Sequence, residues 1–222
     1  MKIEKISIKN RGYVQCRSGF YSSQDILPAD EEFCFRTGIN KLYGEVDSGV
    51  WAISYLLSMY SCRPKDFILW YNPEVTVNDT VMPLEDFARY SCYMDESYPL
   101  FSTKDSVSKM VAKGIRKNKL DYSTEEIRDL FGIHPHRFER PLTGVGNDVF
   151  KSMVAIAYCH EKYVYCFPWL SKRRFEGYHN NITGLLEILE RMKKVVIFPM
   201  GRIYKTKKHT PPRKGHTKYY IK

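Results

Sequence analysis

The stretch from Asn40 to Tyr60 constrains the fold more than any other part of the chain. Asn40-Lys-Leu-Tyr-Gly44 reads as a strand ending at a glycine, and Glu45-Val-Asp-Ser-Gly49 as a turn-rich loop. The eleven residues Val50–Tyr60 are apolar almost all round, the pattern of a buried helix rather than an amphipathic one. Strand, glycine loop and buried helix in succession are the unit from which α/β proteins are built.

The flanking sequence extends that pattern. Ile3 to Ile8 alternates apolar and polar positions as a half-buried strand does, a polar stretch with turn residues follows, and Glu74 to Met82 alternates like an edge hairpin. Residues 104–120 are helical in pattern through Val107, Met110, Val111 and Ile115. Ser123-Thr-Glu-Glu126 is a capping box opening a short helix that ends near Phe131-Gly132. Leu142-Thr-Gly-Val-Gly146 is a second glycine loop, followed by a helix through Tyr158. Tyr163–Phe167 reads as a buried strand, Ile182–Met192 as an amphipathic helix and Val195–Phe198 as a last core strand. The expected fold is α/β with a mostly parallel core sheet, an N-terminal antiparallel β segment and a helical subdomain near 102–158, all in one domain over residues 1–200.

Charge separates this domain from the end of the chain. Of 35 Lys and Arg, eight fall between Gly201 and Lys222, where there is no acid, leaving 27 basic against 25 acidic residues elsewhere. The net charge of +10 therefore belongs to a basic C-terminal tail, 201–222. That tail admits three readings: a solvated end, an attachment to an anionic membrane leaflet, or a nucleic-acid contact with Tyr219 and Tyr220 available for stacking. No apolar run approaches the roughly 18–20 residues that span a bilayer, and the N-terminus lacks a signal-peptide core, so a cytoplasmic protein is expected. The six cysteines are scattered without a CxxC pair, which favours reduced, mostly buried thiols.

With its glycine loops placed, the chain resembles the ATP-binding-cassette (ABC) ATPases over nearly all of residues 1–200. In that family a P-loop of form GxxxxGK[ST] wraps phosphate with its backbone amides, its Lys and a Mg²⁺-holding hydroxyl. Gly44, Ser48 and Gly49 keep that frame here, but Val50 stands at the lysine and Trp51 at the hydroxyl, while Glu45 and Asp47 add negative charge. Asp95 and Glu96 resemble the glutamine loop where a transmembrane partner docks, with Asp95 at the glutamine. Leu142, Thr143, Gly144, Val145 and Gly146 resemble the LSGGQ signature. Phe167 and Pro168 stand where the Walker B strand should end in its two carboxylates, and Met200 stands at the switch histidine.

The resemblance implies a pseudo-ATPase. Phosphoryl transfer runs on lysine, Mg²⁺ and a water-orienting group, and each of those positions is substituted, so no catalytic residue, no metal and no bound ATP or Mg²⁺ is expected. It implies as partners another ABC cassette and a membrane permease, at the inner face of the cell membrane. A soluble pseudo-ATPase binding protein outside any transporter, or a nucleic-acid-binding protein using the tail, is the alternative. No rival catalytic cluster emerges: His134-Pro-His136 lacks a third ligand, the pairs Asp95-Glu96 and Glu125-Glu126 point apart, and neighbouring Cys159-His160 cannot easily form a nucleophile–base pair.

Overall fold

The structure, a computed structural model, describes residues 2–12, 14–18, 23–27, 29–45, 48–59, 67–69, 71–201 and 217–220. In chain order its elements are β1 (Lys5–Lys9), β2 (Val14–Ser18), β3 (Ser23–Leu27), β4 (Glu32–Arg36), β5 (Gly38–Tyr43), α1 (Val50–Met59), β6 (Phe67–Leu69), β7 (Glu74–Val77), β8 (Thr80–Val81), α2 (Leu84–Phe87) and β9 (Ser91–Tyr93). They continue as α3 (Val107–Asn118), α4 (Thr124–Leu130), α5 (Pro135–Phe138), α6 (Val149–Cys159), β10 (Val164–Cys166), α7 (Lys172–Arg191), β11 (Val195–Met200) and β12 (Thr217–Tyr220).

The central sheet is parallel throughout, in the order β12-β5-β11-β10-β9. Every residue of β9, β10 and β11 is buried, as expected of a parallel sheet covered on both faces. Helix α1 packs on β9, β10 and β11, and α7 on β5 and β11. Pro199 falls beyond Val195–Ile197, the part of β11 that pairs with β10, so its missing N–H leaves that ladder intact.

Two antiparallel sheets, β4-β1-β7-β8 and β3-β2-β6, complete the β structure of the described residues. The alternation at the N-terminus is realised in β1, whose Ile6 and Ile8 are buried between half-buried neighbours. Helix α1 also touches β2 and β3, so it is enclosed by sheet on two sides. That enclosure explains why Val50, Trp51, Ala52, Ile53, Leu56 and Leu57 are all buried. Asn40 joins the layers: its amide donates to the carbonyls of Arg36 (2.8 Å), Gly38 (3.2 Å) and Val196 (3.1 Å), and it accepts from the Arg36 N–H at 3.1 Å.

The helical region follows the sequence reading closely. The Ser123 hydroxyl accepts from the Glu126 N–H at 3.1 Å, and the Glu126 carboxylate accepts from the Ser123 N–H at 2.7 Å, a complete capping box. Three features depart from the reading. Residues 14–27, read as polar and turn-rich, carry β2 and β3, held by the buried side chains of Val14, Cys16 and Leu27. Helix α7 begins at Lys172 rather than near Ile182. Its first half contains Gly177 and Asn181, poor helix formers, and is fixed instead by Phe175 against Phe198 and Tyr178 against Phe150. Thr217–Tyr220, inside the segment read as a tail, pairs in parallel with β5 as an edge strand.

Cys16, Cys92, Cys159 and Cys166 are buried free thiols and Cys34 is a half-buried one; Cys62 lies outside the described residues.

Candidate functional site

Four loops converge at the C-terminal ends of the parallel strands, the place where open α/β sheets bind ligands. They follow β5 (Gly44–Glu45 and Ser48–Gly49 among the described residues), β9 (Met94–Ser97), β10 (Phe167–Leu170) and β11 (Gly201). Backbone hydrogen bonds lock them together: the Gly44 N–H donates to the Met200 carbonyl at 3.1 Å, the Phe167 N–H to Ile197 at 2.9 Å and the Met94 N–H to Cys166 at 2.8 Å. The topology thus brings together the P-loop-like, glutamine-loop-like, Walker-B-like and switch positions: Gly44, Ser48, Gly49, Val50 and Trp51, then Asp95-Glu96, Phe167-Pro168 and Met200.

The glycine loop is folded in on itself. The Ser48 hydroxyl donates to the Glu45 carbonyl at 2.7 Å, and the Ser48 N–H donates to the same oxygen at 3.2 Å. A Cβ on Gly44 would lie 2.1 Å from the Ser48 hydroxyl, so Gly44 must be glycine for the serine to turn inward. Gly49 must be glycine for two reasons: its φ is +84°, and a Cβ there would lie 2.8 Å from the Ile26 carbonyl of β3. Both glycines therefore have local structural roles in this chain. Asp47 lies outside the described residues.

Beyond the loop, indole and phenyl rings occupy the positions where the resemblance puts polar chemistry. Trp51 is buried, and its indole N–H donates to the phenol oxygen of Tyr93 at 2.5 Å. Val50 is fully buried. Trp169, just after the Walker-B-like pair, donates its indole N–H to the Gly44 carbonyl at 3.0 Å. Phe167 is fully buried between Phe150 (5.7 Å between ring centres) and Phe198 (5.1 Å), and its carbonyl accepts from the Ser54 hydroxyl of α1 at 2.7 Å. Met200 is buried. Burial pushes the Tyr93 phenol well above its ordinary pKa, so it stays a neutral donor and acceptor.

Asp95 and Glu96 sit at the mouth of this cluster. The Asp95 carboxylate accepts from the Ser97 N–H at 2.9 Å and the Ser97 hydroxyl at 2.6 Å, a turn that holds it in place. A cavity of about 490 Å³ opens beside them, walled by Trp51, Tyr93, Phe150, Trp169 and Tyr178. Tyr93, Trp169, Phe150 and Tyr178 were not among the candidate site residues read from the sequence. Spacing along the chain carries no sign that these rings meet.

The signature-like loop stands apart from the cavity. Leu142–Gly144 and Gly146–Asp148 form two 3₁₀ turns leading into α6. Leu142 and Val145 are buried anchors, while Thr143, Gly144, Gly146 and Asn147 are exposed. Asp148, at the N-cap of α6, is buried and paired with Arg137 (3.2 Å) and Lys151 (3.6 Å). Nearby, His134 accepts at Nδ1 from the His136 N–H (3.3 Å), and His136 meets Arg140 at 2.5 Å.

Solved structures share this fold. A candidate ABC transporter ATP-binding protein from Pyrococcus furiosus superposes with a TM-score of 0.59 at 12% identity, over 98% of this chain and 97% of that one. The chain has the fold of an ATP-binding cassette. A dimeric ATP-binding cassette in a post-hydrolysis state, bound to ADP and Pi, matches at a TM-score of 0.55 and 10% identity, over 89% of this chain and 88% of that one. A bacterial Atm1-family ABC exporter with ATP bound matches at 0.55 and 9% identity over 90% of this chain, which spans only 34% of the exporter chain. No family model and no curated protein matches the sequence. In the central sheet the glycine-loop strand β5 lies beside β11, and the strand before Asp95 lies at the edge.

Proposed function

We propose that this cassette-fold chain is a non-hydrolysing subunit of a membrane transport complex, paired with an ATP-hydrolysing cassette or docked on a permease. The carrying observation is the hydrogen bond from Trp51 to Tyr93 at the position where a P-loop hydroxyl would hold Mg²⁺. Phosphoryl transfer relies on charge neutralisation by Lys and Mg²⁺ and on a group that orients the nucleophile. Val50, Trp51, Phe167, Pro168 and Met200 supply no charge and no such group. Losing one electrostatic contributor to a transition state commonly costs about 10²–10³ in rate, and here all are replaced together.

Pairing is supported by a contrast within the site. The P-loop-like region is packed with side chains, whereas Thr143, Gly144 and Gly146 face outward. A loop of that kind can be offered to the nucleotide of a second cassette even when its own chain holds none. The solved neighbours include a dimeric cassette and a cassette carried within an exporter. Among the described residues no helix is long and apolar enough to cross a membrane, so membrane placement would come from a permease or from the basic residues after Gly201 beside an anionic inner leaflet.

The test has two arms. Titration calorimetry of the purified chain with Mg²⁺-ATP is expected to show no binding heat; micromolar binding would sink the reading. Co-expression with intact cassettes from the source genome should then yield an ATP-dependent complex with one of them. Thr143→Arg should abolish that complex, and a complex indifferent to it would refute the assigned pairing surface.

A further inference from the structure

The cavity beside Asp95 has the chemistry of a receptor for positive charge. Its volume of about 490 Å³ falls in the range of roughly 300–1,000 Å³ that holds small organic ligands. Five separate segments build it: the start of α1, the turn after β9, the start of α6, the chain after β10, and α7 through Tyr178. Five aromatic rings wall it, and Asp95 and Glu96 stand among them.

What the lining lacks is as informative. Among the described residues, no lysine, arginine or histidine lines it. The two indole N–H groups are directed to Tyr93 and to the Gly44 carbonyl, and the Ser97 hydroxyl to Asp95. An anion entering this space would meet aromatic rings and two carboxylates. Among the described residues neither Asp95 nor Glu96 makes an ion pair. Aromatic walls with carboxylates at the rim are the arrangement that captures alkylated ammonium groups, through the negative faces of the rings and direct charge attraction.

We propose that this cavity binds a small organic cation, an alkylated ammonium carrying an aromatic or branched apolar body. The proposal rests on the same replacement of phosphate-binding groups as the proposed function, but it does not need a second cassette. A whole small molecule is favoured over a protein side chain because a lone lysine or arginine would leave most of the aromatic wall uncovered.

Trp51 and Trp169 make the site its own reporter. The intrinsic fluorescence of the full chain is titrated with benzyltrimethylammonium, with neutral benzyl alcohol and with anionic benzoate, each checked by calorimetry. Saturable binding of the ammonium at least about tenfold tighter than of the alcohol, with no binding of benzoate, is expected. Asp95→Asn/Glu96→Gln keeps the shape and the Ser97 turn acceptor, and should weaken the ammonium about tenfold while leaving the alcohol unchanged. Glu96→Gln alone should give part of that loss, and circular dichroism confirms that both variants fold. Equal affinity for the three probes, no binding at millimolar concentrations, or an unaltered Asp95→Asn/Glu96→Gln variant overturns the proposal. So does tighter binding of N-acetyl-arginine amide, which would assign the cavity to a protein partner. Competition by Mg²⁺-ATP separates the two readings: displacement of the ammonium by Mg²⁺-ATP defeats both, whereas absence of ammonium binding without ATP binding defeats this one alone.

Discussion

The indole N–H of Trp51 donates to the phenol oxygen of Tyr93 at 2.5 Å, bridging the first turn of α1 and the end of β9. Both residues are buried, so the bond works in a low-dielectric setting where it is worth more than at the surface. It joins the glycine-loop side of the site to the Asp95 side.

Removing either partner of that bond should be felt and should not be additive. Tyr93→Phe is expected to cost about 1 kcal/mol and Trp51→Phe somewhat more, because it also removes ring volume. The double variant should fall short of the sum by about 1 kcal/mol. Urea unfolding of the three variants measures this; strictly additive losses would show that the bond contributes nothing.

Restoring the family-like residues should not restore nucleotide binding. Trp51→Ser removes a buried indole and is expected to cost about 3–5 kcal/mol. Val50→Lys places an ammonium at a fully buried position, with a further desolvation cost. The Val50→Lys/Trp51→Ser protein should melt well below the parent, and Mg²⁺-ATP should not raise its Tm. A Tm rise with Mg²⁺-ATP would mean that the aromatic packing is the only barrier to a working phosphate loop.

Gly44 and Ser48 should behave as a coupled pair. Gly44→Ala drives a methyl group into the Ser48 hydroxyl and should cost about 1–3 kcal/mol. Adding Ser48→Gly removes the nearest obstacle and should recover part of that loss, although Val50 remains 2.8 Å from the new Cβ. Comparing unfolding midpoints of the two singles and the double gives the coupling; no recovery would mean that the Val50 contact dominates.

Alkaline pH should destabilise the fold. Burial pushes the Cys159 and Cys166 thiols from 9.0 up to about 12. The folded state therefore holds protons that the unfolded state releases, so the stabilising contribution is complete below about pH 9 and falls as pH rises toward 12. The buried Tyr93 and Tyr165 phenols are shifted upward by the same cause and act in the same direction. Urea unfolding at pH 8, 9, 10 and 11 should show a steadily falling midpoint, and Cys166→Ala should flatten part of the slope. A midpoint independent of pH in that window would contradict the assigned burial.

The local sequence determined a good deal of this protein. Its capping box at Ser123 and Glu126, the buried run of α1 and the alternation of β1 and β7 are short-range patterns, and each produced the expected element. The order of glycine loops and strands carried the cassette resemblance, because each loop had a family counterpart at the expected spacing. Tertiary structure decided the rest. Nothing near Lys172 announces a helix; α7 starts there because Phe175 and Tyr178 find partners on Phe198 and Phe150, far away in the chain. The edge strand β12 depends in the same way on the free side of β5. The site shows the division most clearly. The residues at the positions the resemblance assigns to phosphate binding can be read one by one, but the cavity beside them is assembled from Trp51, Tyr93, Phe150, Trp169 and Tyr178. Those residues share no spacing or motif; the parallel strands together with α6 and α7, which carry Phe150 and Tyr178, bring their rings together.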